Sequence, residues 1–419
     1  MSTPFRRRLP APLAVAVVLA IGVVPPAGSA PPPAPPTQVW IDVATHDMAG
    51  MPDMGAMGGA GRLAMKMMGG DQTRPVFPTT ERPGATGRYL DVAVYNRLKP
   101  GVQVQDAAPS GLGLGDLVLL PPPPNGPRHD GETPQDPPDV EITVREYWGC
   151  GAQVGPGQPK VSTYTVKGGA ASMQGGMTPG MFAPERDVQP TPAFALWPNR
   201  THGELVPEAA SLVGLHRFAG DGIPASLKFE LERRADFMPK IELTSSGGDD
   251  MPIELRWQPV ERAEAYFLAA TQMDAAVSPG MNKVSMVVWS SSEVAGAGET
   301  LIDYLDAAHI DRWTKQKVLL PASATECSVP PGIFTRGNGL PNMTLLNMVA
   351  YGPETHLVYP PRPTDPKQLA TWKPEWSVRV RTKSTAGVVL GADTHASQSE
   401  QPKEGIGKKV FKNLFKRGQ

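Results

Sequence analysis

Short stretches of strict apolar–polar alternation recur along this chain, and helical periodicity is rare. Gln38-Val39-Trp40-Ile41-Asp42-Val43-Ala44 is rich in β-branched and aromatic residues and predicts a strand. Arg88-Tyr89-Leu90-Asp91-Val92-Ala93-Val94-Tyr95 echoes it, Y-L-D-V-A against W-I-D-V-A. Two similar strands on either side of a long irregular stretch predict one sheet carrying an insertion. Leu117 to Leu120 adds a short strand before Pro121 to Pro124. Val140-Glu141-Ile142-Thr143-Val144 alternates as a half-buried strand does, and Val161 to Val166 repeats the pattern. Gly168 to Pro190 reads as loop. Ser226 to Leu231, Ile241 to Leu243 and Ile253 to Trp257 alternate again, followed by Ala265 to Ala270 and Val284 to Trp289. Leu345 to Tyr351, Thr355 to Tyr359 and Trp376 to Arg381 complete the series. One segment breaks the rule: Glu299 to Leu319 sets Leu301, Ile302, Leu305 and Trp313 on one side of a predicted amphipathic helix.

Short strands separated by glycine and proline predict a mostly β fold. The expected arrangement is two immunoglobulin- or fibronectin-like sandwich domains with a short inserted helix, plus disordered segments. The divisions follow composition. Residues 1–30 precede an N-terminal β segment, 31–138, which holds a Gly/Met-rich loop at 46–70 and a Pro-rich linker at 121–138. A β domain at 139–246 and a β-sandwich domain at 251–384, with its helix at 299–319, come next. A flexible tail, 385–419, ends in a basic amphipathic stretch.

The first thirty residues change the picture. Phe5-Arg6-Arg7-Arg8 is a positive n-region and Leu13 to Val24 a short apolar core closed by Pro25-Pro26. Ala27-Gly28-Ser29-Ala30 then supplies the small residues a signal peptidase requires, which predicts cleavage near Ala30 and export to the periplasm or medium. The apolar run is too short and too abruptly broken for a membrane anchor. The formal net charge is −1, more negative still without the three arginines, which excludes a nucleic-acid partner by charge. The only two cysteines, Cys150 and Cys327, predict a single disulfide in an oxidising compartment, against the alternative of two buried thiols.

Candidate chemistry is sparse. His46, Met48, Met51, Met54 and Met57, followed by Met65, Met67 and Met68, resemble the Met-rich motifs of periplasmic copper-resistance proteins. Thioethers are soft neutral ligands suited to Cu(I), so copper is the one cofactor this chain suggests. The competing reading is a low-complexity Gly/Met loop or an apolar cover. Met173, Met177 and Met181 form a second, looser group. Asp303, Asp306 and His309 would share a helix face, as a hard-metal or acid–base site or as a solvated surface, and the spacing favours the surface. Gly111-Leu112-Gly113-Leu114-Gly115-Asp116 lacks the third glycine and the following helix of a nucleotide loop. No nucleophile elbow, zinc-protease or phosphate-loop motif occurs, so a non-catalytic role is favoured and a hydrolase without a recognisable motif is the alternative. Residues 405–417 set Ile406, Val410, Phe411, Leu414 and Phe415 opposite lysines, the pattern of a weak membrane-surface contact.

Two resemblances accompany these readings. Leu255, Trp257, Pro259 and Tyr266 resemble the early strands of a fibronectin type III domain, where a core tryptophan precedes a core tyrosine. The chain also resembles a family of uncharacterised exported proteins of Gram-negative bacteria. Trp40 to Ala44, Tyr147-Trp148-Gly149-Cys150-Gly151, Leu196-Trp197-Pro198-Asn199 and Tyr359-Pro360-Pro361-Arg362-Pro363 carry that likeness. It implies export, with an unknown protein or envelope partner, and brings no site residues. The expected function is an exported, non-catalytic binding or envelope-associated structural protein, with a copper-binding protein as its rival.

Overall fold

The computed structural model describes residues 34–49, 75–81, 83, 85–124, 139–175, 178–248, 250–278, 281–334 and 344–390. Among them the fold is mostly β. The N-terminal part supplies β1 (Thr37–Ala49), β2 (Gly87–Asn96), β3 (Val104–Ala107) and β4 (Val118–Leu120). Next come β5 (Val140–Trp148), β6 (Lys160–Lys167), β7 (Ala170–Gly175) and β8 (Phe194–Trp197). They are followed by β9 (Gly214–Gly220), β10 (Lys228–Leu231), β11 (Thr244–Gly247) and β12 (Ile253–Arg256). The last third holds β13 (Ala265–Ser278), β14 (Met281–Ser290), α1 (Ala307–Lys315), β15 (Leu320–Pro321) and β16 (Glu326–Val329). It ends with β17 (Thr344–Tyr359), α2 (Pro366–Thr371) and β18 (Trp376–Leu390).

One long sheet runs β7-β6-β5-β14-β13-β17-β18-β1-β2-β8, with β15 beside β13. It draws strands from all three stretches that composition separates, so it crosses the divisions at 138/139 and 246/251. Pairing is antiparallel except at β1 with β18 and β5 with β14. Two small sheets lie on one face. The β10-β9-β3-β4 sheet packs Phe218, Phe229 and Leu120 against Ile41, Val92 and Val380. The β11-β12-β16 sheet packs Leu255, Cys327 and Val329 against Tyr266, Leu268 and Met348. Both share the same large partner, so the two β-on-β layers are joined by common strands. The predicted disulfide is formed, Cys150 to Cys327, with Cα atoms 5.1 Å apart. It ties the end of β5 to the β11-β12-β16 sheet.

The opposite face of the long sheet is covered by irregular chain and one helix. Residues 75–81 and 185–188 place Phe77 and Val188 over Trp40, Ala93 and Leu196. Residues 296–319 place Leu301, Leu305, Ile310 and Trp313 over Phe267, Val349 and Tyr351.

Local differences from the sequence expectation have simple causes. The long helix predicted at 299–319 is a 3₁₀ turn at Glu299–Leu301 and then α1 alone, because the Asp306 side chain accepts the His309 N–H and caps the helix there. The expected loop from Gly168 contains β7. Lys167 pairs with Ala170 across Gly168-Gly169, both at positive φ (55° and 76°), the two-residue hairpin turn that glycine favours. Leu345–Tyr351 and Thr355–Tyr359 are one strand, β17, whose register shifts between Tyr351 and Glu354. Ile241–Leu243 is not a strand, and pairing begins at Thr244. Of the predicted Gly/Met loop, His46 to Ala49 belong to β1.

Candidate functional site

A buried cluster of charge lies between the two apolar patches of the covered face. Strand register creates it. Asp42 stands directly opposite Asp91 on β2 and opposite Arg381 on β18. Two carboxylates facing each other across paired strands repel, and here cations separate them. Arg381 grips Asp42 with two hydrogen bonds of 2.8 Å. The Arg186 guanidinium lies 3.5 Å from Asp42 and 3.6 Å from Asp91, and 3.1 Å from each of Glu81 and Asp303. Lys383, with no exposed surface, reaches Asp303 at 3.2 Å. Asp91 accepts four further bonds from the backbone N–H and hydroxyl groups of Thr79 and Thr80, of 2.7–2.9 Å at their shorter contacts. The Tyr304 ring sits among the three cations, with Lys383 at 4.4 Å, Arg381 at 4.6 Å and Arg186 at 5.4 Å from its centre.

The charges shift one another's protonation. Burial works to raise Asp42, but the charge and hydrogen bonds of Arg381, with Arg186 and Arg379, hold it below the usual carboxylate range. Asp303 is likewise opposed by burial and held at about 2 by Lys383 and Arg186. Burial wins at Asp91, which is raised. Burial also lowers Lys383, with Asp303 opposing. A pair of carboxylates pushed apart in this way can serve acid–base chemistry. These two are almost wholly buried and their oxygens are bonded to neighbouring side chains and backbone. The arrangement therefore acts as a fastening. It pins residues 79–81, Arg186 and Asp303-Tyr304 down onto β1, β2 and β18.

The predicted copper ligands fare unequally. His46 and Met48 lie two apart on β1, on the same face as Asp42. The His46 Nδ1 is 2.8 Å from the Thr385 hydroxyl, and its buried Nε2 has no hydrogen-bond partner. Burial, helped by the nearby Lys383 charge, lowers this imidazole to about 4, so it is neutral at pH 7. A Cβ on Gly387 would sit 2.6 Å from the Met48 sulfur, so glycine there makes room for the thioether. Met51, Met54, Met57, Met65, Met67 and Met68 lie outside the described residues. In the second methionine group, Met173 stands on β7, Met181 packs near Leu301, and Met177 is outside the described residues. Asp303, Asp306 and His309 do not converge: Asp303 turns into the buried cluster, while Asp306 and His309 bond each other at 2.7 Å. Among the described residues no three His, Cys, Asp or Glu side chains are grouped to hold a metal ion. The amphipathic stretch 405–417 also lies outside them.

Two further polar groups are bonded within the fold. His216 bonds Asp106 at 2.8 Å and the Leu212 carbonyl at 3.0 Å inside the core, beside a cavity of about 10 Å³. A surface cleft of about 540 Å³ lies between Arg88, Arg233, Phe237 and Arg262. The Arg262 guanidinium donates to the Asp236 and Phe237 carbonyls at 2.8 and 2.6 Å, so it builds the cleft wall.

The wing formed by β5, β6 and β7 differs from all of this. Its register aligns Met273, Met286 and Val144 in one row. Val284, Ile142, Tyr164 and Met173 form the next, and Val140, Val166 and Ala171 the third. All lie on the face that elsewhere carries the charged cluster and α1. Among the described residues, cover on that face ends at Glu146, which accepts the Gly296 N–H at 2.6 Å and the Thr178 hydroxyl at 3.2 Å. Beyond it Tyr164 is 38%, Met173 45% and Met273 55% exposed. The reverse face of the wing is mainly polar, with Lys283 paired to Glu141 at 3.1 Å and Arg145 bonded to Ser285 at 2.9 Å, and Val161 an exposed apolar residue opposite Arg145. The alternation at 140–144 signalled a half-buried strand, and the structure shows its apolar side without a cover among the described residues. The buried cluster had its own signal, charge alternating with core in Val378-Arg379-Val380-Arg381-Thr382-Lys383. Arg186 and Asp303 come from irregular segments, with no local pattern to mark them. The chain matches no family model, no curated protein and no solved structure.

Proposed function

We propose that this is an exported, non-catalytic protein that binds a partner or builds envelope structure through the apolar face of the β5–β7 wing. The observation that carries the reading is the row Val284, Ile142, Tyr164, Met173, with Met173 45% exposed, on a side of the sheet that no described residue covers. An exposed contiguous apolar sheet face of this kind marks an interaction surface. The charged groups elsewhere support the non-catalytic half of the proposal, since they hold one another. The n-region, apolar core and small residues of 1–30 support export, and the Cys150–Cys327 disulfide suits an oxidising compartment. The test places a photo-crosslinking residue at Ile142 or Tyr164, and at Thr143 or Thr163 on the reverse face, in the cell that makes the protein. Adducts with a second polypeptide are expected at Ile142 and Tyr164 alone. Absence of adducts at all four, or equal labelling of both faces, would overturn it.

A second reading keeps copper. The buried, unpartnered Nε2 of His46 and the Met48 thioether on the same face favour it, and the Lys383 charge opposes it. An anaerobic Cu(I) competition titration decides. Tight binding lost in His46→Gln supports the metal, and identical curves dismiss it.

A further inference from the structure

We propose that β7 is the edge at which two copies of this chain join, so that the long sheet and its apolar face run from one molecule into the next. The proposal rests on reading the wing as an interaction surface; it seats a second copy at the β7 edge and leaves the apolar face open across both molecules.

The two ends of the sheet show why. At one end β8 has four residues, three of them buried, and beyond it the Leu196 N–H donates to the Pro121 carbonyl at 3.1 Å. That edge is short and closed. At the other end every residue of β7 is exposed. Lys167 and Ala170 flank a two-residue turn and are therefore bonded to each other. Antiparallel alternation then directs the backbone groups of Ala170, Ser172 and Gln174 to β6 and those of Ala171, Met173 and Gly175 outward. Sheet proteins guard such an edge with lysine, proline, a bulge or a covering segment. Ala170-Ala171-Ser172-Met173-Gln174-Gly175 holds no charge and no proline.

An edge that no described residue covers could take any strand, but the chemistry of this one suits itself. A two-fold axis perpendicular to the sheet sets β7 antiparallel to its copy and makes a closed, isologous pair. Opposed residues then point to the same face, so Met173 and Ala171 of both copies extend the rows begun by Tyr164 and Val166. With no charged residue on the strand, no like charges meet. Overlap is greatest with Ser172 or Met173 on the axis.

The chain offers a direct test, because Cys150 and Cys327 are bonded to each other and an introduced cysteine is the single free thiol. Ala170→Cys, Ser172→Cys and Met173→Cys are each purified and mildly oxidised. Residues on the axis have Cα atoms about 4.5–5.5 Å apart, within disulfide reach. Ala170 would lie at least about 14 Å from its copy, four residues out of register. A covalent dimer is expected at Ser172→Cys or Met173→Cys and none at Ala170→Cys. By sedimentation the parent should dimerise reversibly. Ala171→Pro, which removes an outward N–H and leaves the β6 pairing, should weaken the dimer at least tenfold. A parent that stays monomeric at all concentrations overturns the proposal, as does equal crosslinking at all three positions. Adducts to a different polypeptide from Ile142 or Tyr164 would then leave the wing reading standing, and no adducts there would remove that as well.

Discussion

The two halves of the long sheet treat the same face in opposite ways. Over β1, β2 and β18, the face carries Asp42, Asp91, Arg381 and Lys383, all buried, and three separate segments are fastened to them. Over β5, β6 and β7 it carries valine, isoleucine, tyrosine and methionine, and among the described residues the covering chain stops at Glu146. Charge lies under cover and apolar side chains lie open, the reverse of what burial alone would choose. Buried charge in the closed half is tolerable because each carboxylate has cations or hydroxyls around it, and that pairing holds irregular segments in one place. The open half has its apolar row without a lid among the described residues, and we propose it on that ground as the part that meets another molecule.

Removing the cation at the centre of the closed half should have the largest effect. Arg186→Met leaves Asp42, Asp91 and Asp303 buried without it and should cost about 3–5 kcal/mol in urea unfolding. Ile142→Thr on the open wing should cost about 1 kcal/mol or less, because that side chain is only half-buried. Similar losses from both would dissolve the distinction.

The disulfide is next. Joining residues 177 apart in sequence, it is worth up to about 5 kcal/mol by loop-closure entropy. The double change Cys150→Ala and Cys327→Ala should lower stability by about 2–5 kcal/mol and speed amide exchange first in β5 and β6, whose tether it cuts.

Acid sharpens the contrast further. The His46 imidazole titrates near 6.5 when unfolded and at about 4 when folded, so the unfolded chain binds more protons in between. Stability from this group is complete above pH 6.5 and falls as pH drops to about 4, by about 3 kcal/mol. His46→Gln should flatten that part of the pH profile. The lowered Asp42 and Asp303 act in a lower window. Their contribution is full above the ordinary carboxylate range; that of Asp303 is lost as pH falls toward about 2, and that of Asp42 is lost below the ordinary range in the same direction. The smallest effect on stability belongs to Met173→Lys, within about 0.5 kcal/mol, since β7 is exposed at every position. Its effect on self-association should be large.

Much of the β framework was legible in the sequence, because alternation at 38–44, 140–144 and 376–381 needs no partner to be read. The echo of W-I-D-V-A and Y-L-D-V-A proved to be a pairing, centred on Asp42 opposite Asp91. The disulfide followed from a count of two cysteines. What the sequence hid is what depends on long-range register. Arg186 and Asp303 meet Asp42 only because loops fold over the sheet, and no spacing announces that. Asp306 looked like one member of a helical face, but its position before Ala307 made it a cap. The open wing was visible as alternation, but whether a cover follows is a property of the whole chain.

The most direct test is methionine oxidation in dilute solution, read residue by residue by mass spectrometry. Met173 and Met273 on the open wing should oxidise as fast as the exposed Met251, while buried Met238 and Met348 remain intact. If Met173 and Met273 are as protected as Met238 in a dilute monomer, the chain covers this face itself and the account fails.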